Sequence, residues 1–318
     1  MASSNPPTTA HILSGTSTSA SAPAPLGSDH TPPSGTDVKH HFPASFFRPL
    51  SEDETRYEAS LLILNTVLPP VSVLKTILER TWPWACADGG ANRLFDALGR
   101  TEANDWLPNF IHGDLDSVRD DVRDFYEREG TKVTRDDDQE STDFAKALGE
   151  LKRLLESSYK YQCVVPPPRH TVLILASLSG RVDQALGLLH ELLRESNDNP
   201  GYDLILIGQS NVSFLLRPGR HVIHGVNPAG GVFSGNCGLV PIYGPAVLST
   251  RGLRWDVTDW ETRMGGRVST SNFAVQDEVE VEVRGETVLW TVEIVGEEVG
   301  RGEARRGQRS EMDSLPRP

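Results

Sequence analysis

The stretch Phe110–Asp143, FIHGDLDSVRDDVRDFYEREGTKVTRDDDQESTD, decides how this chain is read. It begins with a short apolar run, Phe110–His112, that suits a buried strand. Gly113 turns the chain, and two carboxylates follow one residue apart, Asp114 and Asp116. Val118–Arg128 then carries Val122, Phe125 and Tyr126 on one face at helical spacing, and Lys132–Thr134 is a second short strand. The stretch closes on Gln139, Thr142 and Asp143 at the start of a further helix. This order is that of an α/β unit, and it brings a third carboxylate towards the strand edge that holds the first two. Such a set can hold a hard divalent cation, and Mg²⁺ commonly sits on one or two carboxylates plus substrate phosphates.

The same alternation extends in both directions. Ser60–Leu64 and Trp84–Ala87 read as buried strands, Val71–Arg80 and Asn92–Leu98 as helices. Downstream, Thr142–Leu155 places Phe144, Ala147, Leu148, Leu151 and Leu155 on one stripe. Ser157–Arg169, with Pro166-Pro167-Pro168, reads as an exposed loop. Strand Thr171–Leu175, helix Val182–Arg194 and strand Tyr202–Ile207 follow. Strands that are continuous apolar runs between helices indicate a mostly parallel, Rossmann-like sheet covered on both faces.

After Gly208 the pattern changes. Val212–Leu216, His221–Ile223, Gly238–Ile242, Ala246–Ser249, Val279–Val283 and Val288–Ile294 are short extended runs separated by Gly, Pro and Asn. Val279, Val281 and Val283 alternate with glutamates, and Gly285 between the last two runs predicts a hairpin. The expected architecture is an α/β domain over 46–209 followed by an all-β sandwich domain over 210–300. Residues 1–45 hold few large apolar side chains and cannot offset their ordering entropy, so they read as a disordered leader, and 301–318 as a disordered tail.

A chain of 318 residues suffices for two ordinary domains. Lys+Arg total 31 and Asp+Glu 44, so the net charge is 31 − 44 = −13. Nucleic-acid binding draws on cations at phosphates, so this balance argues against such a partner. The acidic ligand that fits best is one arriving with its own Mg²⁺. Three cysteines, Cys86, Cys163 and Cys237, are odd in number and lack CxxC spacing, which points to reduced thiols. No apolar run is long enough to span a bilayer, and the N-terminus lacks the features of a signal or transit peptide. The expectation is a cytoplasmic protein without a membrane partner.

In an open parallel sheet, ligands bind outside the carboxyl ends of the strands. Four consecutive strand ends here carry carboxylates: Asp88-Gly89-Gly90-Ala91-Asn92, Gly113-Asp114-Leu115-Asp116-Ser117, Asp138-Gln139-Glu140-Ser141-Thr142-Asp143 and Gly180-Arg181-Val182-Asp183-Gln184. Each has an ordinary explanation as a turn, a helix cap or an exposed ion pair. Asp136–Asp138 read as surface groups, and Ser269–Asn272 on its own pattern reads as a turn. Together the four favour a site, because carboxylates crowded at one edge repel unless a cation relieves them. On the residues alone, a Mg²⁺-dependent glycosyltransferase or other nucleotide enzyme, and a binding-only nucleotide sensor, stay open.

These motifs, in this order, resemble those of the thiamine pyrophosphokinase family, in a eukaryotic, fungal-like form. The match continues through Cys237-Gly238-Leu239-Val240-Pro241, Thr250-Arg251-Gly252-Leu253-Arg254-Trp255 and Gly265-Gly266-Arg267-Val268-Ser269-Thr270-Ser271-Asn272, and covers about residues 58–296. Ser179 stands where the family usually has Gly, and Asp256 where Asn is common. The resemblance implies transfer of a diphosphate group from ATP to the thiamine hydroxyl, giving thiamine diphosphate and AMP. It implies that Asp88, Asp114, Asp116 and Asp143 hold Mg²⁺ and the ATP phosphates, with Asp114 or Asp116 accepting the hydroxyl proton. Gln139 and Thr142 would bond phosphate or ribose, Arg181 would stabilise phosphate charge, and Asp183 would orient Arg181 or the nucleotide. Trp255 would stack on thiamine, with Ser269, Ser271 and Asn272 reading its aminopyrimidine. It further implies a homodimer with each active site shared between chains.

Overall fold

The structure, a computed structural model, describes residues 38–50, 59–162 and 169–295. Most of the expected leader, the tail and the Pro166–Pro168 loop with Cys163 lie outside the described residues. The first half runs β1 (Val38–His41), β2 (Ala59–Ile63), α1 (Val71–Arg80), β3 (Thr81–Ala87), α2 (Gly90–Ala103), β4 (Phe110–Gly113) and α3 (Asp120–Arg128). It continues β5 (Lys132–Arg135), α4 (Asp143–Gln162), β6 (His170–Leu175), α5 (Val182–Asp198) and β7 (Tyr202–Ile207). The strands that follow are β8 (Asn211–Leu216), β9 (Gly219–His224), β10 (Phe233–Val240), β11 (Ala246–Arg251), β12 (Trp260–Thr262), β13 (Ser269–Phe273), β14 (Glu278–Gly285) and β15 (Val288–Ile294).

Parallel strands lie in the order β5-β4-β3-β2-β6-β7. Successive residues of a strand face opposite sides. Leu62, Ala85, Val172 and Ile174 therefore pack with Phe144, Leu148 and Leu151 of α4, while Leu61, Ile63 and Ile111 pack with Leu74, Leu94 and Val122 of α1, α2 and α3. The order reverses beside β2, which has β3 on one flank and β6 on the other. A doubly wound sheet opens its ligand crevice at such a point, outside the carboxyl ends.

The sheet does not stop at β7. β8 pairs antiparallel with it through a tight turn in which Gly208 N donates to Asn211 O at 2.9 Å. β15, β10 and β13 extend the row to ten strands. A second sheet, β1-β9-β14-β11-β12, buries Ile223, Leu248, Val279 and Val281 in one cluster with Phe214, Leu239 and Trp290 of the large sheet. The expected sandwich is thus present, and one of its layers is the continuation of the parallel sheet.

Four local expectations change. Residues 38–45 do not belong to a leader: Val38–His41 forms β1, paired parallel with β9, where His40 stacks on His224 and His40 and His41 both hydrogen-bond across the ladder. The hairpin expected around Gly285 is not formed, since β14 pairs with β9 and β11 and β15 pairs with β8 and β10. The chain crosses between layers at Gly285, whose φ of 90° and close approach to Pro245 O suit glycine. Helix α4 runs on to Gln162 rather than ending at Leu155, with Ser157 and Ser158 bonding back to the carbonyls of Arg153 and Leu154 at 2.8 and 2.9 Å. Ser269–Asn272, read as a turn, is strand β13, held by β10.

Candidate active site

Three of the sequence-selected carboxylates converge. Oxygens of Asp88, Asp114 and Asp143 lie within 4.8 Å of one another. Asp88 follows β3 at a φ of 41°, and its N–H donates to His112 O at 3.0 Å, which ties the turn to β4. Glycines make the convergence sterically feasible. A Cβ on Gly90 would lie 2.2 Å from Ile63 O, so α2 can begin flush against the end of β2 only with glycine there. A Cβ on Gly113 would lie 2.8 Å from Asp143 Oδ1 and 2.9 Å from Asp88 Cβ.

Asp88 is buried, and Asp114 and Asp143 are half-buried. Burial, then repulsion from Asp114 and Asp88, pushes the Asp143 carboxyl above the usual carboxylate range. Three hard oxygen donors in mutual repulsion fit a divalent cation such as Mg²⁺. Asp116 stands outside this triad. It is exposed, and its carboxylate accepts from Ser117 Oγ at 2.9 Å while its N–H donates to Asp114 Oδ1 at 3.1 Å.

Residues to which the sequence reading assigns no role frame the triad. Asn92 donates to Ser117 O at 2.7 Å and accepts from Arg119 N at 3.1 Å, which fixes the Asp114–Ser117 loop against α2. Asn65 follows β2, lies beside Gly89 and accepts from Arg93 Nε at 2.8 Å. Lys146 is buried, and its Nζ donates to Asp136 O at 3.1 Å. Its position one helical turn after Asp143 was the available signal.

The other selected residues of this half lie nearer the surface. Arg181 and Asp183 are exposed at the start of α5 and pair bidentately, at 3.1 and 2.5 Å. Gln139 is exposed, and Thr142 lies just before α4, accepting from Ala145 N at 3.2 Å and donating to Glu191 at 3.1 Å. Asp137 and Asp138 are exposed as expected, whereas Asp136 is half-buried, 3.8 Å from His112 Nε2. Ser179 does not adopt positive φ. That conformation falls on Gly180 at 90°, so serine at 179 is compatible with the turn.

A cavity of about 420 Å³ lies in the β region. Trp255, Trp260, Leu239, Leu248, Ser269 and Ser271 are among its walls. Trp255 is 57% exposed, and Arg254 lies 5.6 Å from its ring centroid. Asn272 is buried, and its amide is spent on the Trp255 loop: Oδ1 accepts from Trp255 N at 3.2 Å and Nδ2 donates to Trp255 O at 3.0 Å. Asp256 is the loop's other anchor, accepting from Thr250 Oγ1, Gly252 N and Leu253 N at 3.0–3.1 Å. The Asp that replaces the commoner Asn thus has both oxygens in use.

The acidic triad and the two-tryptophan cavity occupy distant parts of the sheet. From β10 to β3 there are six strand steps (β10-β15-β8-β7-β6-β2-β3), or roughly 29 Å at the usual strand spacing.

Comparison with known proteins yields two family matches: residues 74–202 match the thiamin pyrophosphokinase catalytic domain, and residues 220–288 match the thiamin pyrophosphokinase vitamin B1 binding domain. Thiamine pyrophosphokinase 1 of Arabidopsis thaliana is 34% identical over 274 residues, spanning 82% of this chain and 95% of that protein. Thiamine pyrophosphokinase of Saccharomyces cerevisiae is 30% identical over 270 residues, 71% of this chain and 82% of that protein. The solved thiamin pyrophosphokinase of Candida albicans superposes with a TM-score of 0.69 at 26% identity, covering 81% of this chain and 93% of that one.

Proposed function

The chain belongs to the thiamine pyrophosphokinase family, and on that premise we propose how its residues divide the work. It is an enzyme, a transferase that moves a diphosphate group from ATP to thiamine and yields thiamine diphosphate and AMP. The thiamine hydroxyl oxygen bonds to the β-phosphorus as the bond from that phosphorus to the AMP oxygen breaks. Transfers of this kind rest on positioning and charge stabilisation rather than covalent catalysis.

Asp88, Asp114 and Asp143 would hold Mg²⁺, with the exposed Asp116 beside them on the open side. The ion supplies charge neutralisation on the transferred phosphates. Asp114 is engaged in the triad, which leaves the exposed Asp116 as the carboxylate free to accept the thiamine hydroxyl proton. Arg181 would meet the phosphates with its guanidinium fork, and Asp183 would keep it oriented until ATP arrives. Gln139 and the Thr142 hydroxyl would face ribose or phosphate. Trp255 would stack on the thiamine cation, Ser269 and Ser271 would meet the aminopyrimidine, and Asn272 would hold the Trp255 loop in place.

The observation that carries this reading is the convergence of three carboxylates outside β3 and β4, beside the sheet's reversal point. The separation of the acidic triad from the tryptophan cavity supports a homodimer in which the triad of one chain meets the tryptophan cavity of its partner. We keep the division into a catalytic domain over 46–209 and a thiamine-binding domain over 210–300. The buried free thiols Cys86 and Cys237 support a cytoplasmic setting. The test is incubation with Mg-ATP and thiamine, with thiamine diphosphate and AMP measured together. Release of ADP instead of AMP, or undiminished turnover by Asp116→Ala, would overturn the assignment.

A further inference from the structure

Another cavity, about 200 Å³, lies at the amino ends of β6 and β7. That is the opposite end of the strands from the acidic triad, roughly 20 Å away along six extended residues. Its walls include Lys39 of β1, Arg169 before β6, Asp203 of β7 and Arg217 after β8. Aromatic rings of Phe42 and Phe214 close other sides. Lys39 Nζ donates to Asp203 Oδ1 at 2.5 Å, and Arg169 donates to both oxygens of the same carboxylate at 2.5–3.0 Å. Arg217 donates to Ser196 Oγ at 2.9 Å and to the Ser196 carbonyl, and is bonded to no carboxylate among the described residues.

Three cations therefore line this cavity against one carboxylate among the described residues, a local excess of 3 − 1 = +2 in a chain of net charge −13. His41, which also lines the cavity, does not add a fourth at neutral pH, because burial holds it below the ordinary histidine range. The cluster is under electrostatic stress. Burial, aided by Arg169 and Arg217, lowers Lys39 despite Asp203, and burial followed by Arg169 lowers Arg217. Like charges drawn into a partly enclosed space call for a compensating anion.

We infer that Lys39, Arg169 and Arg217 form a binding site for a small phosphate-class oxyanion, inorganic phosphate or diphosphate. Guanidinium forks match such oxygens in geometry as well as charge. The volume is below the roughly 300–1,000 Å³ typical of sites for drug-sized ligands, which excludes a nucleotide. The site is independent of the catalytic reading and does not compete for the ATP phosphates. Its floor is β6 and β7, whose other ends lead into the Ser177–Arg181 and Gly208 turns, so an occupied cavity would stiffen strands that carry Arg181.

The test is calorimetric titration of the full chain with inorganic phosphate and, separately, with diphosphate, in EDTA and without ATP. One saturable site is expected, weakened at least tenfold in Arg217→Ala and in Lys39→Gln and unchanged in Asp143→Asn. Tenfold is about 1.4 kcal/mol, the lower end of what one charge-assisted hydrogen bond contributes. Circular dichroism checks each variant's fold. Should Arg217→Ala fail to fold, Lys39→Gln on the peripheral strand β1 decides alone. Absence of saturation by roughly 10 mM of either anion, about 2.7 kcal/mol of binding on the usual scale, would overturn the proposal. So would equal affinity in a folded variant.

Discussion

Gly113 and Asp143 approach so closely that a Cβ on residue 113 would stand 2.8 Å from Asp143 Oδ1. The same atom would stand 2.9 Å from Asp88 Cβ, so the glycine is the space in which the carboxylates meet. Gly113→Ala is expected to lower kcat/KM by about 100-fold, the scale of a 1 Å misplacement in a reacting constellation. It should cost about 1–3 kcal/mol of stability through overpacking. Paired kinetics and denaturant unfolding check this, and a variant within tenfold of wild-type activity would refute the steric argument.

Asp143 carries the opposing demands of stability and function. Its carboxyl is raised by burial and by Asp114 and Asp88. A carboxyl raised in the folded state makes its stability contribution below the unfolded value and loses it as pH rises through the folded one. At neutral pH, without metal, Asp143→Asn should therefore raise Tm by about 2–4 °C for each kcal/mol of relieved repulsion. It should also abolish most turnover. Added Mg²⁺ should raise the Tm of the wild type and not of the variant. Thermal melts in EDTA and in Mg²⁺ decide it, and an unchanged Mg²⁺ response in Asp143→Asn would remove that residue from the metal site.

Trp255 is more than half exposed, so its ring is available to a ligand and contributes little to the core. Trp255→Ala should raise the KM for thiamine about tenfold or more, on the scale of a desolvated cation–π contact, with the KM for ATP and the Tm nearly unchanged. Asn272→Ala should behave differently. It releases the Trp255 loop, whose N–H and carbonyl both lose their partner, and so should lower stability along with thiamine affinity. Steady-state kinetics in each substrate, with melting curves, separate the two.

Much of this was legible from the chain itself because the parallel strands are continuous apolar runs. Leu61–Ile63 and Leu173–Leu175 could not be exposed, and the motif residues had to follow them. What could not be read depends on contacts distant in sequence. The polar tetrad Val38–His41 looks like leader and becomes a strand only beside His221 and His224. Ser269–Asn272 has no apolar alternation and becomes a strand because β10 supplies the ladder. Asn272 looked like a ligand reader, but a loop 17 residues earlier uses its amide. Gly285 looked like a hairpin turn because alternation does not report which sheet each arm joins.

The β1–β9 junction gives the protein a pH dependence. His41 Nε2 lies 3.0 Å from His221 Nδ1, and burial lowers His41 to about 3. A histidine depressed in the folded state lends stability that is complete above the unfolded value near 6.5 and is lost as pH falls towards the folded one. Each such group costs about 1.4 kcal/mol per pH unit in that window, or about 2 kcal/mol between pH 6.5 and 5. Urea unfolding at pH 7 and pH 5 should show this loss in the wild type and a smaller one in His41→Phe, whose ring can still stack on Phe214. Equal losses in the two proteins would place the acid sensitivity elsewhere.

The roughly 29 Å between triad and tryptophan cavity makes a prediction about pairs of chains. If each active site takes its carboxylates from one chain and its thiamine cavity from another, defects in the two halves must complement. Asp143→Asn and Trp255→Ala, each impaired alone, should regain activity when co-refolded in equal amounts. In a mixed dimer, one site receives both lesions and the other receives neither. With random pairing half of the dimers are mixed and each has one intact site of two, so about a quarter of wild-type turnover should return at thiamine concentrations that leave Trp255→Ala idle. Sites built within single chains would give only the sum of the two residual activities. The same mixing of Asp143→Asn with Asp88→Asn is the control, because both lesions lie in one triad and no intact site can form.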